Sequence, residues 1–149
     1  MPSANPGPLL SICLTCRDGR EADRDHRRGG SRLADAVTDE WERRGRPVDL
    51  RGVRCLSQCK RSCVISLTAP RAFTYIFGDL DPEDPSHVGA ILDLVPLYRT
   101  APEGFLARHE RPEPLRASIL DRLPWIGSEA EVVIDLGQSC DRLAARSGM

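Results

Sequence analysis

The sequence predicts an α/β protein in which a βαβ unit is followed by a ββα unit, giving a core with a mixed four-stranded sheet. Three observations predict it. Short apolar runs bounded by turn residues recur at 9–14, 48–54, 63–69 and 72–78. A helical period separates the first run from the second, and another follows the fourth. Only two residues, Pro70-Arg71, separate the third run from the fourth, which is the spacing of a hairpin.

Residues 9–14 (Leu-Leu-Ser-Ile-Cys-Leu) read as a buried strand between Pro8 and a polar run after Cys16. That run, 17–30, is charged and glycine-bearing and reads as a loop, with Ser31 as the expected cap of the next helix. Leu33, Ala36, Val37 and Trp41 recur at helical spacing through about Arg44, and Gly45 supplies a stop. Pro47 opens the second strand, 48–54. After the hairpin, 81–86 is a proline-containing helix start, and Val88, Ile91, Leu92, Val95 and Tyr98 mark one helix face. This order is the core arrangement of the thioredoxin-like fold. Beyond Tyr98, prolines at 102, 112, 114 and 124 break the pattern into short pieces. A helix at 115–122 and a strand at 131–136 are the readings there. The expected organisation is a tail at 1–8, a domain at 9–100 and an irregular, partly helical extension at 101–149.

A chain of 149 residues can bury a real core without disulfides. Its formal net charge of −1 gives no pull toward nucleic acid or an acidic membrane. No run approaches the roughly 18 apolar residues of a membrane span, and the first residues lack the basic and apolar regions of a signal peptide. The expectation is a cytoplasmic protein, where structural disulfides are rare. Its 6 cysteines then point to metal or redox chemistry.

Cys13 and Cys16 form C-x2-C at the end of the first strand, and Cys55, Cys59 and Cys63 form C-x3-C-x3-C after the second. In a parallel βαβ pair both groups emerge at the carboxyl edge of the sheet, where open α/β sheets place ligands. Thiolates gathered there suit zinc or an iron–sulfur cluster about equally. Cys13 and Cys16 alone read as a dithiol oxidoreductase pair, although the loop 17–30 separates them along the chain from the helix start such a pair uses. Cys55, Cys59 and Cys63 also fit an apolar helix stripe, but Cys63 opens a strand and Lys60-Arg61 would sit poorly in a core.

The segment Cys55-Leu-Ser-Gln-Cys59, followed by Cys63-Val-Ile-Ser-Leu and an aromatic strand, resembles the cluster-binding half of thioredoxin-like 2Fe–2S ferredoxins. Cys13-Leu-Thr-Cys16-Arg17, the cysteine run 55–63 and Phe73-Thr-Tyr-Ile-Phe-Gly-Asp-Leu80 more closely resemble the family named domain of unknown function 1636, predicted metal-binding proteins. Glu110-Arg111-Pro112 and Arg122-Leu123-Pro124 fit that family too, so the resemblance covers about 9–124. It implies a 2Fe–2S, ferredoxin-like electron carrier, not a self-sufficient enzyme. Some members are associated with cobalamin biosynthesis. Carried over by position, the ligands would be Cys13, Cys16, Cys55 and Cys59. Thioredoxin-like ferredoxins usually have a wider first spacing and no equivalent of Cys63, so Cys16 and Cys63 compete for the fourth place.

His26, His87 and His109 are not spaced as a site, and Cys140 lies beyond the resemblance. Trp41 and Tyr75 read as core residues, and Trp125 as an anchor for the C-terminal segment. Arg17, Lys60 and Arg61 would set positive charge near a cluster and could receive an acidic redox partner. No nucleophile–base pair, phosphate loop or carboxylate pair stands out. An apolar sheet edge would allow a homodimer.

Overall fold

The structure, a computed structural model, describes residues 7–137. One sheet carries strands β1 (Leu9–Cys13), β2 (Asp49–Val53), β3 (Ile65–Thr68), β4 (Thr74–Phe77) and β5 (Ile119–Leu123), in the spatial order β2-β1-β3-β4-β5. Helix α1 (Gly29–Arg43) connects β1 to the parallel β2, and helix α2 (Pro85–Thr100) follows β4. β3 and β4 form an antiparallel hairpin beside β1. The βαβ and ββα units thus share one sheet in the thioredoxin-like arrangement.

The register accounts for the core. Leu10, Leu67 and Tyr75 lie side by side across β1, β3 and β4, and Ile12, Ile65 and Phe77 form the next row. All six are buried, and burying each large apolar side chain contributes roughly 1.5–3 kcal/mol. The Tyr75 and Phe77 rings stack at 5.8 Å, and Tyr98 from α2 meets Tyr75 edge-on at 6.0 Å. Both buried phenols have partners: Tyr98 donates to the Phe73 carbonyl at 2.5 Å, and the Tyr75 oxygen accepts the Leu106 N–H at 2.7 Å. Trp41 is half-buried, donating its indole N–H to the Val48 carbonyl at 2.6 Å. α1 and α2 lie against each other, joined on the surface by Arg44 and Asp93 at 2.7 Å. Among the described residues, no helix is long and apolar enough to cross a membrane.

Three details depart from the sequence reading. The sheet has five strands instead of four, because 119–123 pairs with β4 as β5 instead of continuing a helix from 115. Pro112 and Pro114 confine Leu115 to a single 3-10 turn, and the open edge of β4 offers the residues after it a hydrogen-bonding ladder. Residues 131–136 form turns rather than a strand. Finally, α1 begins at Gly29, not after a Ser31 cap. The Glu21 carboxylate accepts the Gly29 N–H at 3.0 Å, while the Ser31 hydroxyl donates to the Leu14 carbonyl at 3.0 Å. A carboxylate from the preceding loop therefore does the work of a cap. Trp125 does anchor the segment beyond β5: its N–H donates to Glu103 at 2.7 Å, and the same carboxylate accepts the Ser128 hydroxyl at 2.5 Å.

The start of α1 presses on the end of β1. A Cβ at Gly30 would stand 2.0 Å from the Cys13 carbonyl oxygen. Gly30→Ala is therefore expected to destabilise the fold by about 1–3 kcal/mol, as overpacking does, read from the denaturation midpoint. Gly89→Ala, inside α2 with only the Arg44 guanidinium at 3.6 Å nearby, should instead be neutral or stabilise by up to about 1 kcal/mol.

Candidate metal centre

The parallel register decides where the cysteines emerge. Cys13 pairs with Val53, and the Leu14 N–H donates to the Val53 carbonyl at 2.7 Å. One residue further, the Thr15 hydroxyl donates to the Arg54 carbonyl. The chains leaving β1 and β2 thus start out together at the carboxyl edge. The backbone of Leu56, on the segment that follows β2, helps to lower the Cys13 pKa. Because β3 runs antiparallel to β1, its start, with Cys63 two residues before Ile65, lies at this same edge.

The five cysteines divide into a buried group and an exposed pair. Cys13, Cys16 and Cys63 are buried. The Gly30 N–H donates to the Cys16 carbonyl at 2.9 Å, which brings the start of α1 beside the C-x2-C pair despite the intervening loop. Cys13 and Cys16 bias each other's protonation, and Ser62 and the Val64 backbone act to lower Cys16. Cys63 is held by two bonds with Leu80, N–H to carbonyl and carbonyl to N–H, each 3.2 Å. Cys55 and Cys59 lie on the exposed connection from β2 to β3. The Ser57 N–H donates to the Cys55 sulfur at 3.2 Å, and Cys59 opens the 3-10 turn Cys59–Arg61.

Electrostatics separates the buried thiols. Burial opposes the Cys13 thiolate, but hydrogen bonds from Cys16, the Leu56 and Thr15 N–H groups and the Thr15 hydroxyl outweigh it and hold its pKa below the ordinary value. Cys16 keeps the shared proton; burial and the neighbouring Cys13 push it up to about 12. Cys63 is also pushed up to about 12, by burial first and then by Cys16 and Asp18.

On one side of the pair the loop 17–28 is braced by ion pairs. Asp18, almost fully buried, accepts from Arg20 at 3.0 Å and from Arg32. Arg20 reaches Asp81 at 2.5 Å, while Arg24 and Arg32 reach Glu83 at 2.9 and 2.7 Å. Asp18 and Glu21 were not singled out from sequence; the loop ahead of the paired glycines holds four acids among five arginines, with nothing local to mark these two. The other side, 54–62, is largely exposed, with Arg61 paired to Asp79 at 2.9 Å. The three histidines contribute no ligand here. His26 and His109 are exposed, and His87 Nδ1 accepts the Asp81 N–H at 2.9 Å at the start of α2.

Thiol donors of this number suit a thiolate-bound metal group in kind, and all five emerge at one edge. Among the described residues, however, no group of three or more His, Cys, Asp or Glu side chains is disposed to hold a metal ion. The sulfurs of 55 and 59 stand apart from the buried ones. Cys140 lies outside the described residues. In metal-free protein carrying Cys140→Ser, brief iodoacetamide treatment should label Cys55 and Cys59 first. Mass spectrometry should find Cys13, Cys16 and Cys63 labelled at least about tenfold more slowly, since reactivity requires access as well as thiolate; equal labelling would contradict the division.

Two solved structures of a thioredoxin-like [2Fe-2S] ferredoxin from Aquifex aeolicus are similar to this chain. One is 16% identical, covering 78% of this chain and 98% of that one with a TM-score of 0.44. The other is 15% identical, covering 83% and 98% with a TM-score of 0.48. No curated protein matches the sequence. A family model described as "Protein of unknown function (DUF1636)" matches residues 10–125. Spanning all but the first residue of the sheet and including Cys13, Cys16, Cys55, Cys59 and Cys63, that match makes the chain a member of the DUF1636 family.

Proposed function

We propose that this chain holds a 2Fe–2S cluster through Cys13, Cys16, Cys55 and Cys59 and passes electrons singly to a partner protein in the cytoplasm. The observation that carries the reading is that the segments bearing two cysteine groups, about forty residues apart in sequence, leave β1 and β2 side by side at one sheet edge, where Thr15 bonds the Arg54 carbonyl. A 2Fe–2S cluster bound there supplies one-electron redox chemistry. The chain's own part is to hold thiolates and tune them. Cys13 has the lowest proton affinity of the buried set and a neighbourhood of N–H donors, which stabilise negative charge on sulfur. Cys55 and Cys59 sit on a connection with little regular structure, able to move toward the buried pair without disturbing the sheet. Cys63 is assigned instead to the floor beneath them, because its backbone is fixed on both sides by Leu80 and its side chain is fully buried. Arg61 and Lys60, both exposed on the rim, suit an acidic partner surface.

A second reading has a specific observation in its favour. The Cys13–Cys16 pair, buried together with unequal proton affinities and the start of α1 alongside, is the arrangement of a dithiol. The 3% exposure of each sulfur-bearing residue argues against attack on a protein disulfide.

Protein purified without oxygen should be reddish-brown, with visible absorbance that bleaches on dithionite; colourless protein with stoichiometric zinc would overturn the assignment. Cys13→Ser, Cys55→Ser and Cys59→Ser should each lose the colour, whereas Cys63→Ser should keep it. Retained colour in Cys59→Ser would contradict the ligand set. Insulin reduction that depends on Cys13 and Cys16 and survives metal removal would favour the dithiol instead.

A further inference from the structure

Most arginines of the braced loop and the helices face carboxylates: Arg20, Arg24, Arg32, Arg44 and Arg61 each have one within an ion-pair distance. A second group behaves differently. Arg108, Arg111, Arg116 and Arg122 come together beside β5, and among the described residues none of them forms an ion pair. Their bonds run to backbone carbonyls. Arg111 donates to Leu115 at 2.9 Å, Leu106 at 3.3 Å and Arg116 at 3.0 Å. Arg116 donates to Arg111 at 3.0 Å and His109 at 3.2 Å. Arg108 makes one bond, to Arg116 at 3.2 Å, and Arg122 one long bond, to Leu106 at 3.4 Å.

This placement carries an electrostatic cost. Arg111 is 4% exposed, a cation taken out of water with no counter-charge. Burial, followed by repulsion from Arg122, Arg108 and Arg116, lowers its affinity for the proton. Arg122 ends the row Leu10–Leu67–Tyr75 on the core-facing side of the sheet, with its guanidinium 4.4 Å from the Phe105 ring centroid. Arg108, Arg111, Arg122, Phe105 and Ile119 line a groove of about 590 Å³, open to solvent, with Asp121 as its one acidic wall residue. A guanidinium has five N–H donors, so Arg108 and Arg122 each retain most of theirs.

We propose that this groove is a binding site for a small multivalent oxyanion, a ligand bearing phosphate or carboxylate groups. Arg111 and Arg116 form the fixed cationic base, and Arg108 and Arg122 supply the forked donors that meet the ligand. Phe105 and Ile119 cover its apolar part. A second copy of the chain paired edge to edge at β5 would set the two clusters face to face, so like charge disfavours that occupant. The site contains none of the cysteines and does not depend on the metal reading.

Calorimetric titration of the full-length protein at low salt, once with inorganic pyrophosphate and once with citrate, tests the site and separates phosphate from carboxylate recognition. Saturable one-to-one binding is expected with at least one probe. Arg108→Gln should weaken it about tenfold or more, the scale of one charge-assisted hydrogen bond. Arg43→Gln, on the exposed end of α1, should leave it unchanged. In the wild-type protein the Nε–H signals of Arg108 and Arg122 should shift on addition of the bound probe, a readout independent of any variant's stability. No saturable binding to either probe overturns the proposal. So does binding that survives Arg108→Gln, binding that falls equally with Arg43→Gln, or the absence of the two Nε–H shifts.

Discussion

The pairing of β1 with β2 governs everything at the functional edge. Parallel strands must be joined by a crossover, here α1, and the crossover returns the chain so that β2 ends where β1 ends. With Cys13 opposite Val53, the residues that leave each strand begin as neighbours. A slip of one residue would turn Leu10 and Ile12 out of the core and carry Cys13 to the opposite face. The core and the thiol edge are thus specified by one register. The close approach of Gly30 to the Cys13 carbonyl adds a second fixed point, since a larger residue there would push the helix off the strand end.

The same packing divides the thiols by role. The Cys13 pKa is held below the ordinary value, whereas burial and neighbouring groups push Cys16 and Cys63 up to about 12. Three sulfurs of one element type, within one buried neighbourhood, differ because hydrogen-bond donors are unevenly distributed around them. The influences that lower Cys13 come first from the Cys16 side chain, then from the backbone of Leu56 and Thr15 and from the Thr15 hydroxyl, so side-chain identity and chain geometry act together.

Much of this was legible in the sequence. Apolar runs and helical periods point to strands β1 to β4 and both helices, because each is a short apolar run or a helical repeat bounded by turn residues. That the segments bearing Cys13 and Cys55 leave the sheet at one edge follows from strand direction alone. The features that escaped are set by long-range partners. β5 depends on an open edge at β4, and local reading of Leu115–Arg122 gives a helix instead. Glu21 caps α1 from eight residues upstream, outside the window in which caps are sought, so Ser31 is the natural local choice. The division of the cysteines into buried and exposed groups also had no local signal, since spacing fixes sequence distance and not depth.

The ion-pair seam on one side of the thiol edge has a consequence for local stability. Residues 17–32 are tied to Asp81 and Glu83 through several guanidinium–carboxylate contacts and share in the packing of α1. Residues 54–62 are mostly exposed, and their bonds are largely internal or to Asp79. A segment with few buried contacts opens at a lower free energy than one fastened to the core. The two walls of the edge therefore belong to different cooperative units: one unfolds with the whole molecule, while the other breathes on its own against an unmoving frame.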